Sequence, residues 1–339
     1  MTSPFVLAVD GGNSKTDLAL VRGSGEVLAL VRGPQSSPHH LGVEGCLGVL
    51  DDLLARALKQ ARLPNGSGPV ADVGQLLLAG VDFPIEVEEL RAAAEPHHLA
   101  ARVSVANDTF AVLRAGTERG WGVAVVCGSG INCVGVAPDG RHARFPALGS
   151  ITGDWGGGFD IGLAAVSAAA RSEDGRGPHT ALQRAVPAHF GLSTPAELAQ
   201  AIHRREIELS RVVELAPVVL AEAASDAVAD SIVEHLVEEV VALVRVALQR
   251  LDLVGAPAEV VLGGGLFQSG DRRLTTAVRL AVADIAPEAE VHTVSPPPIV
   301  GAALLGLDEL HSGPEAQLRL RRELGAAFEH LDGSGASCV

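Results

Sequence analysis

Apolar and polar positions alternate along this chain in two rhythms, one of strand length and one of helical spacing, and the rhythms come in the same order twice. Phe5–Val9 is an unbroken apolar run. Two further candidate strands follow, Lys15–Val21 and Val27–Arg32. Short uninterrupted runs of this kind suit strands buried on both faces. Gly42–Ala61 changes to helical spacing through Val43, Leu47, Leu50, Leu54 and Leu58. A strand at Gln75–Ala79, a helix at Pro84–Ala94, a strand at Arg102–Ala106 and a helix at Thr109–Ala115 complete the series β-β-β-α-β-α-β-α.

The second pass begins at Trp121. Strands are expected at Trp121–Cys127, Ile131–Ala137 and near Arg141–Arg144, followed by a long helical stretch from about Phe159 to Leu251. A strand at Glu259–Leu262, a helix from Arg272 to Ala283, a strand at Glu290–Val294 and a helix at Val300–Leu310 close the pattern. The repeat is one of architecture rather than of residue identity. The expected fold class is α/β, built as two lobes of the same order. The first spans residues 1–118. The second spans 119–298 and carries a helical insertion at about 159–251. Helices in 299–330 are expected to pack back on the first lobe. Two such lobes would enclose a cleft, with a glycine turn from each facing it.

At 339 residues the chain is long enough for two domains, and its 47% hydrophobic residues supply a sizeable core. Aromatics make up only 3%, with no Tyr, so that core must be built from Ala, Val and Leu. The formal charge of −15 argues against a nucleic-acid partner, because the field repels a polyanion. An anionic nucleotide would need local donors, a metal or helix N-termini. Cys46, Cys127, Cys133 and Cys338 show no metal-type spacing, which fits a reducing compartment. With no leader pattern and no apolar run near 18 residues, the expectation is a soluble cytoplasmic protein with no membrane partner.

The candidate chemistry sits in the turns. Asp10-Gly11-Gly12-Asn13-Ser14-Lys15-Thr16 places an acid, two glycines and small polar groups between two strands. Glycines let a backbone approach a bulky anion with its N–H groups, and an acid at the strand end can hold a divalent cation through water. Taken alone, the motif fits a phosphate turn or an ordinary hairpin equally. Gly128-Ser129-Gly130 is a similar turn in the second pass. Asn107-Asp108 follows a strand directly, where α/β sheets meet their ligands. An acid there can accept a proton from a substrate hydroxyl, or can simply cap the next helix. Gly149–Gly158 embeds Asp154 and Trp155 among glycines ahead of a helix, and Gly263-Gly264-Gly265 leaves a strand with no side chains to obstruct a flat ligand.

These motifs, in this order, resemble the sugar-kinase/Hsp70/actin ATPase superfamily, whose two lobes are ribonuclease H-like. Within it they resemble the N-acetylglucosamine kinase and BadF/BadG/BcrA/BcrD ATPase-like group. Asp10–Thr16 and Gly128–Gly130 match its two phosphate turns. Ala106-Asn107-Asp108 matches its catalytic acid, and Gly263–Gly265 its adenosine segment. Gly153-Asp154 is similar to its Gly-Asp-Glu-Gly-Ser element, with Trp155 in place of the Glu and Gly157 where Ser is common. Near Ser37, kinases of N-acetylglucosamine often carry an Asn, which this chain lacks.

The resemblance implies ATP and Mg2+ as cofactors. Gly11, Gly12, Asn13, Ser14, Lys15, Thr16, Gly128, Ser129, Gly130, Gly263, Gly264 and Gly265 would bind ATP, and Asp10 would hold the metal through water. Asp108 would be catalytic. Ser37, His39, Asn107, Asp108, Ser129, Gly149, Asp154 and Gly158 would line the sugar site. His39 and His40 are otherwise read as loop residues. Ala79–Pro84 and Gly149–Gly158 look like the glucosamine kinase branch, which phosphorylates the 6-hydroxyl of the free amino sugar. N-acetylglucosamine is the alternative substrate, and an ATPase activator of a radical dehydratase or reductase a further alternative. A homodimer is expected from the apolar stripes of the helical insertion.

Overall fold

The computed structural model describes residues 4–64, 66 and 68–335, so Cys338 lies outside the described residues. The chain divides into two compact units, one made of residues 1–121 and 294–339, the other of residues 122–293.

The first unit holds a five-stranded sheet. Its strands are β1 (Phe5–Gly11), β2 (Lys15–Arg22), β3 (Val27–Pro34), β4 (Ala71–Leu78) and β5 (Ala100–Ala106), in the order β3-β2-β1-β4-β5. β1, β2 and β3 pair antiparallel, while β1, β4 and β5 run parallel. Helices α1 (Pro38–Ala61), α2 (Pro84–Ala94) and α3 (Thr109–Gly116) follow β3, β4 and β5.

β1 is apolar throughout because both its faces are covered. Leu7 and Val9 join a core with Leu47, Leu50 and Leu54 of α1. Val6 and Ala8 face the other way, onto α11 (Pro298–Glu309) and α12 (Pro314–Gly335), through Ile299, Ala303, Leu307, Leu320 and Leu324. Each such side chain taken fully out of water stabilises by roughly 1.5–3 kcal/mol. Gly301 of α11 lies so close to the Ala111 carbonyl of α3 that a Cβ there would collide with it.

The second unit repeats the sheet strand for strand. β6 (Gly122–Cys127), β7 (Ile131–Val136), β8 (His142–Arg144), β9 (Glu259–Gly263) and β10 (Glu290–Thr293) run in the order β10-β9-β6-β7-β8. β6, β7 and β8 pair antiparallel, and β6, β9 and β10 are parallel. The expected single helical stretch is five α-helices: α4 (Gly157–Glu173), α5 (Leu182–His189), α6 (Pro195–His203), α7 (Ala216–Glu222) and α8 (Ala227–Arg250). Breaks include Gly175–Pro178, where glycine ends a helix cheaply, and the segment before Pro195, which opens α6 at its first position. Asp226 caps α8, accepting N–H bonds from Val228 (3.0 Å) and Ala229 (2.9 Å). Ile232, Leu236, Val240 and Val244 bury one stripe of it, while Glu234 and Glu238 are exposed. α9 (Gly265–Gln268) is a short helix that the hydrophobic pattern does not announce, and α10 (Arg272–Ile285) joins β9 to β10. No helix among the described residues is long and apolar enough to cross a membrane.

Candidate functional site

In the first unit, the parallel strands β1, β4 and β5 end on one edge of the sheet. Leu77 of β4 lies beside Asp10 on one side and Ala106 on the other. Three segments therefore leave the sheet together: the turn after Asp10, Ala79–Asp82, and Asn107-Asp108.

The first turn is a tight hairpin. Gly11 pairs with Thr16, and the Gly12 N–H donates to the Lys15 carbonyl at 2.9 Å. Gly11 is closely packed, since a Cβ there would displace the Leu78 and Ser36 side chains. Asn13, Ser14 and Lys15 stand exposed at the tip. Thr16 does not: it is fully buried, and its hydroxyl bonds that of Ser36 at 2.8 Å. Its side chain anchors the turn from inside.

Asp10 continues the Val6–Ala8 face, directly opposite Asp17 of β2, which in turn lies opposite Arg32 of β3. Arg32 grips Asp17 with two bonds of 2.7 and 3.0 Å, and its guanidinium and the Lys15 ammonium sit 4.7 and 5.3 Å from the centre of the Phe328 ring. Burial, then the charges of Asp108 and Asp17, push the Asp10 carboxyl up to about 8, against the opposing pull of Lys15 and Arg32. Crowded hard oxygens of this kind suit a divalent cation. Among the described residues, no group of three or more His, Cys, Asp or Glu could hold a metal ion. A cation beside Asp10 would therefore need ligands from outside the protein to complete its shell.

Asp108 occupies the position before α3, yet its side chain makes no cap hydrogen bond. Asn107 does that work instead. Its Oδ1 accepts from the Thr109 N–H at 2.9 Å and the Thr109 hydroxyl at 2.6 Å, and its Nδ2 donates to Asp82 Oδ1 at 2.8 Å. Burial, then the Asp82 charge, push the Asp108 carboxyl up to about 6, against the pull of the Thr109 and Asp108 N–H groups. Asp82 and Glu86 are site residues that sequence reasoning does not single out. Glu86 accepts the N–H groups of Asp82 (2.7 Å) and Phe83 (2.9 Å) and meets His39 at 3.2 Å. The available signal is the acid three residues into α2, where it can reach back to the preceding N–H groups.

His39 and His40 belong to the first turn of α1 rather than to a loop, because Pro38 opens the helix and the break comes only at Gly42 (φ 68°). Ser37 is fully buried. Its hydroxyl is, among the described residues, the buried side-chain oxygen left without a hydrogen-bond partner. Gly80 (φ 79°) lies against Ser37 and His39, where a Cβ would be tight and its backbone strained.

In the second unit three glycine motifs meet at the ends of β6 and β9. The Gly128–Gly130 turn closes with the Gly128 N–H on the Gly130 carbonyl at 2.9 Å, leaving Ser129 and Gly130 exposed. The start of α4 docks onto it: Gly158 and Phe159 donate to the Gly128 and Ser129 carbonyls at 2.8 and 2.9 Å. Gly157 (φ 78°) packs on the Gly130 backbone, and Gly264 (φ 89°) packs on the Cys127 carbonyl. Gly263 is buried at the end of β9, Gly265 is exposed, and Gly158 is buried against Val213.

The Gly149 carbonyl collects the N–H groups of Thr152, Gly153 and Asp154 at 2.9–3.1 Å, and Thr152 Oγ1 bonds the Asp154 carboxylate. Trp155 stacks against His235 of α8 with ring centres 4.3 Å apart. Cys127 and Cys133 are buried, and burial pushes both thiols far up, so they are inert beside the turn.

The family profile of the BadF/BadG/BcrA/BcrD ATPases matches residues 7–306. An N-acetylmuramic acid/N-acetylglucosamine kinase from Clostridium acetobutylicum is 26% identical over 266 residues, covering 78% of this chain and 86% of that one. An N-acetyl-D-glucosamine kinase from Dictyostelium discoideum is 23% identical over 318 residues, covering 91% and 99%. The crystal structure of a provisionally assigned N-acetylglucosamine kinase from Chromobacterium violaceum superposes with a TM-score of 0.68 at 26% identity, covering 90% of this chain and 99% of that one.

Proposed function

We propose a sugar kinase on one premise: the chain belongs to the BadF/BadG/BcrA/BcrD ATPase family. In this reading it transfers the γ-phosphoryl group of ATP to the 6-hydroxyl of an N-acetylated amino sugar, N-acetylglucosamine first. Glucosamine, favoured by the sequence motifs, becomes the second reading. Both curated relatives are named for N-acetylated sugars, while Asp82 beside Asp108 offers the negative charge that a free 2-amino group would use. Buried thiols of the first and second units argue against a cluster-bearing ATPase activator.

The observation that carries the reading is the Asp108 carboxylate at the end of β5, where Asn107 supplies the cap hydrogen bond. Phosphoryl transfer passes through a loose transition state, so such an acid orients the hydroxyl and takes its proton late. Ser37 and His39 line the same edge and would hold the sugar, while Asn107, its amide committed to Thr109 and Asp82, would support that edge from within. Asn13, Ser14 and Lys15 at the first hairpin tip, and Ser129 and Gly130 at the second, would receive phosphate oxygens. Gly264 and Gly265 would give an adenosine close backbone approach. Mg2+, when bound with ATP near Asp10, would neutralise phosphate charge. Gly149, Asp154 and Gly158 are assigned to the sugar side by family resemblance. A cytoplasmic homodimer belongs to the same reading.

The test is ADP release with N-acetylglucosamine, glucosamine, N-acetylmuramic acid, glucose and no sugar. Sugar-dependent release, highest with N-acetylglucosamine, is expected. Equal release with and without sugar removes the kinase.

A further inference from the structure

We propose that Asp82 is a positioning residue for Asp108, acting through the side-chain amide of Asn107. The proposal rests on the kinase reading above.

β4 and β5 are neighbours and parallel, with Leu77 beside Ala106, so the residues that leave them emerge side by side. That places Asp82, five residues beyond Leu77, against Asn107, the first residue beyond Ala106. Asn107 is 3% exposed, and both ends of its amide are engaged. The oxygen takes two donors from Thr109 and the nitrogen donates to Asp82. Turning the amide over would set its oxygen against the Asp82 carboxylate and its NH2 against the Thr109 N–H, so only one orientation is tolerated.

The consequence falls on Asp108. An acid before a helix ordinarily bends back to cap it. Here the cap comes from one residue earlier, and Asp82 holds the other end of the amide that makes it. Asp82 is itself pinned from behind, since its N–H donates to Glu86 at 2.7 Å. The line Glu86–Asp82–Asn107–Thr109 thus fixes the backbone on both sides of Asp108. Positioning of this kind controls rate rather than affinity, because small misplacements of a reacting group cost far more in turnover than in binding.

Asp82→Ala removes the acceptor, whereas Asp82→Asn keeps an oxygen for the Asn107 NH2. With purified full-length protein, Asp82→Ala is expected to lower kcat by about tenfold or more while leaving the KM for MgATP unchanged. Asp82→Asn is expected to restore most of the rate. Thr109→Val, which takes one donor from the far end of the same amide, serves if Asp82→Ala does not fold. It should lower kcat at constant KM for MgATP. Wild-type kcat in Asp82→Ala or in Thr109→Val, or an Asp82→Asn no better than Asp82→Ala, overturns the relay. If wild-type protein shows no sugar-dependent ADP release, it is the kinase reading that fails. The relay is then judged by amide hydrogen exchange across residues 109–112, which Asp82→Ala should accelerate and Asp82→Asn should not. Unchanged exchange in Asp82→Ala overturns it.

Discussion

Asp17 and Arg32 face each other on neighbouring strands, and the guanidinium fork closes on the carboxylate through bonds of 2.7 and 3.0 Å. The Asp17 side chain is only 2% exposed. Arg32→Met would leave that charge buried without its main partner, at a cost of about 3–5 kcal/mol in urea unfolding. The double variant Asp17→Asn/Arg32→Met should recover most of the loss. A single variant that unfolds like wild type would show that the pair is not needed.

In the proposed kinase, Asp108 is expected to set the acidic side of the activity profile. It must be ionised to accept a proton, and its carboxyl is pushed up to about 6 by burial and the Asp82 charge. The kcat/KM for sugar should therefore hold above that pH and fall about tenfold per pH unit below it. Asp108→Asn should lower turnover by at least about a hundredfold while ATP binding, read by calorimetry, stays intact. A profile flat down to pH 5, or an active Asp108→Asn protein, removes Asp108 from the role.

Asp10 makes the fold pH-sensitive in the opposite sense to most carboxylates. Its carboxyl lies at about 8 in the folded chain against the ordinary 3.8 of an exposed one, so between these limits the folded state holds the extra proton. Stability from this group is complete below pH 3.8 and is lost as pH rises through 8. Melting temperature in metal-free buffer should drop between pH 6 and about 8.5 by this route, and Asp10→Asn should flatten the drop. A steeper drop in Asp10→Asn would contradict the assignment.

Gly157→Ala should damage the second turn from outside it. The residue has φ 78° and packs on the Gly130 backbone, so a methyl group meets both strain and collision. A loss of about 1–3 kcal/mol in stability is expected, with weaker nucleotide binding measured by fluorescence titration. Wild-type affinity and stability together would show that the docking of α4 on the turn is unimportant.

Much of this was legible in the residues, and what was not has a physical reason. The doubled strand–helix order follows from period and punctuation, and β1 declares itself because both its faces are buried. The start of β4 at Ala71 rather than Gln75 was hidden by the polar Asp72, whose carboxylate accepts the Phe5 N–H at 2.8 Å. Asp108 was readable as an acid at a strand end, but its freedom from capping was not. That depends on the side-by-side exit of β4 and β5, a register that no local pattern encodes. The same holds for Asp17: an acid inside an apolar strand is visible, whereas its partner fifteen residues later is fixed only by strand pairing. Thr16 was read with the turn by adjacency, although strand alternation turns it inward to Ser36.

The packing of α11 and α12 on β1 also sets an order of assembly. The second unit is one continuous stretch of chain, while the first is completed by Ile299, Leu307, Leu320 and Leu324. As the polypeptide leaves the ribosome, the middle of the molecule has all its parts before the beginning does. Until α11 and α12 have been synthesised, one apolar face of the earliest-made sheet lacks the helices that cover it. Apolar surface left bare in that interval is an aggregation hazard.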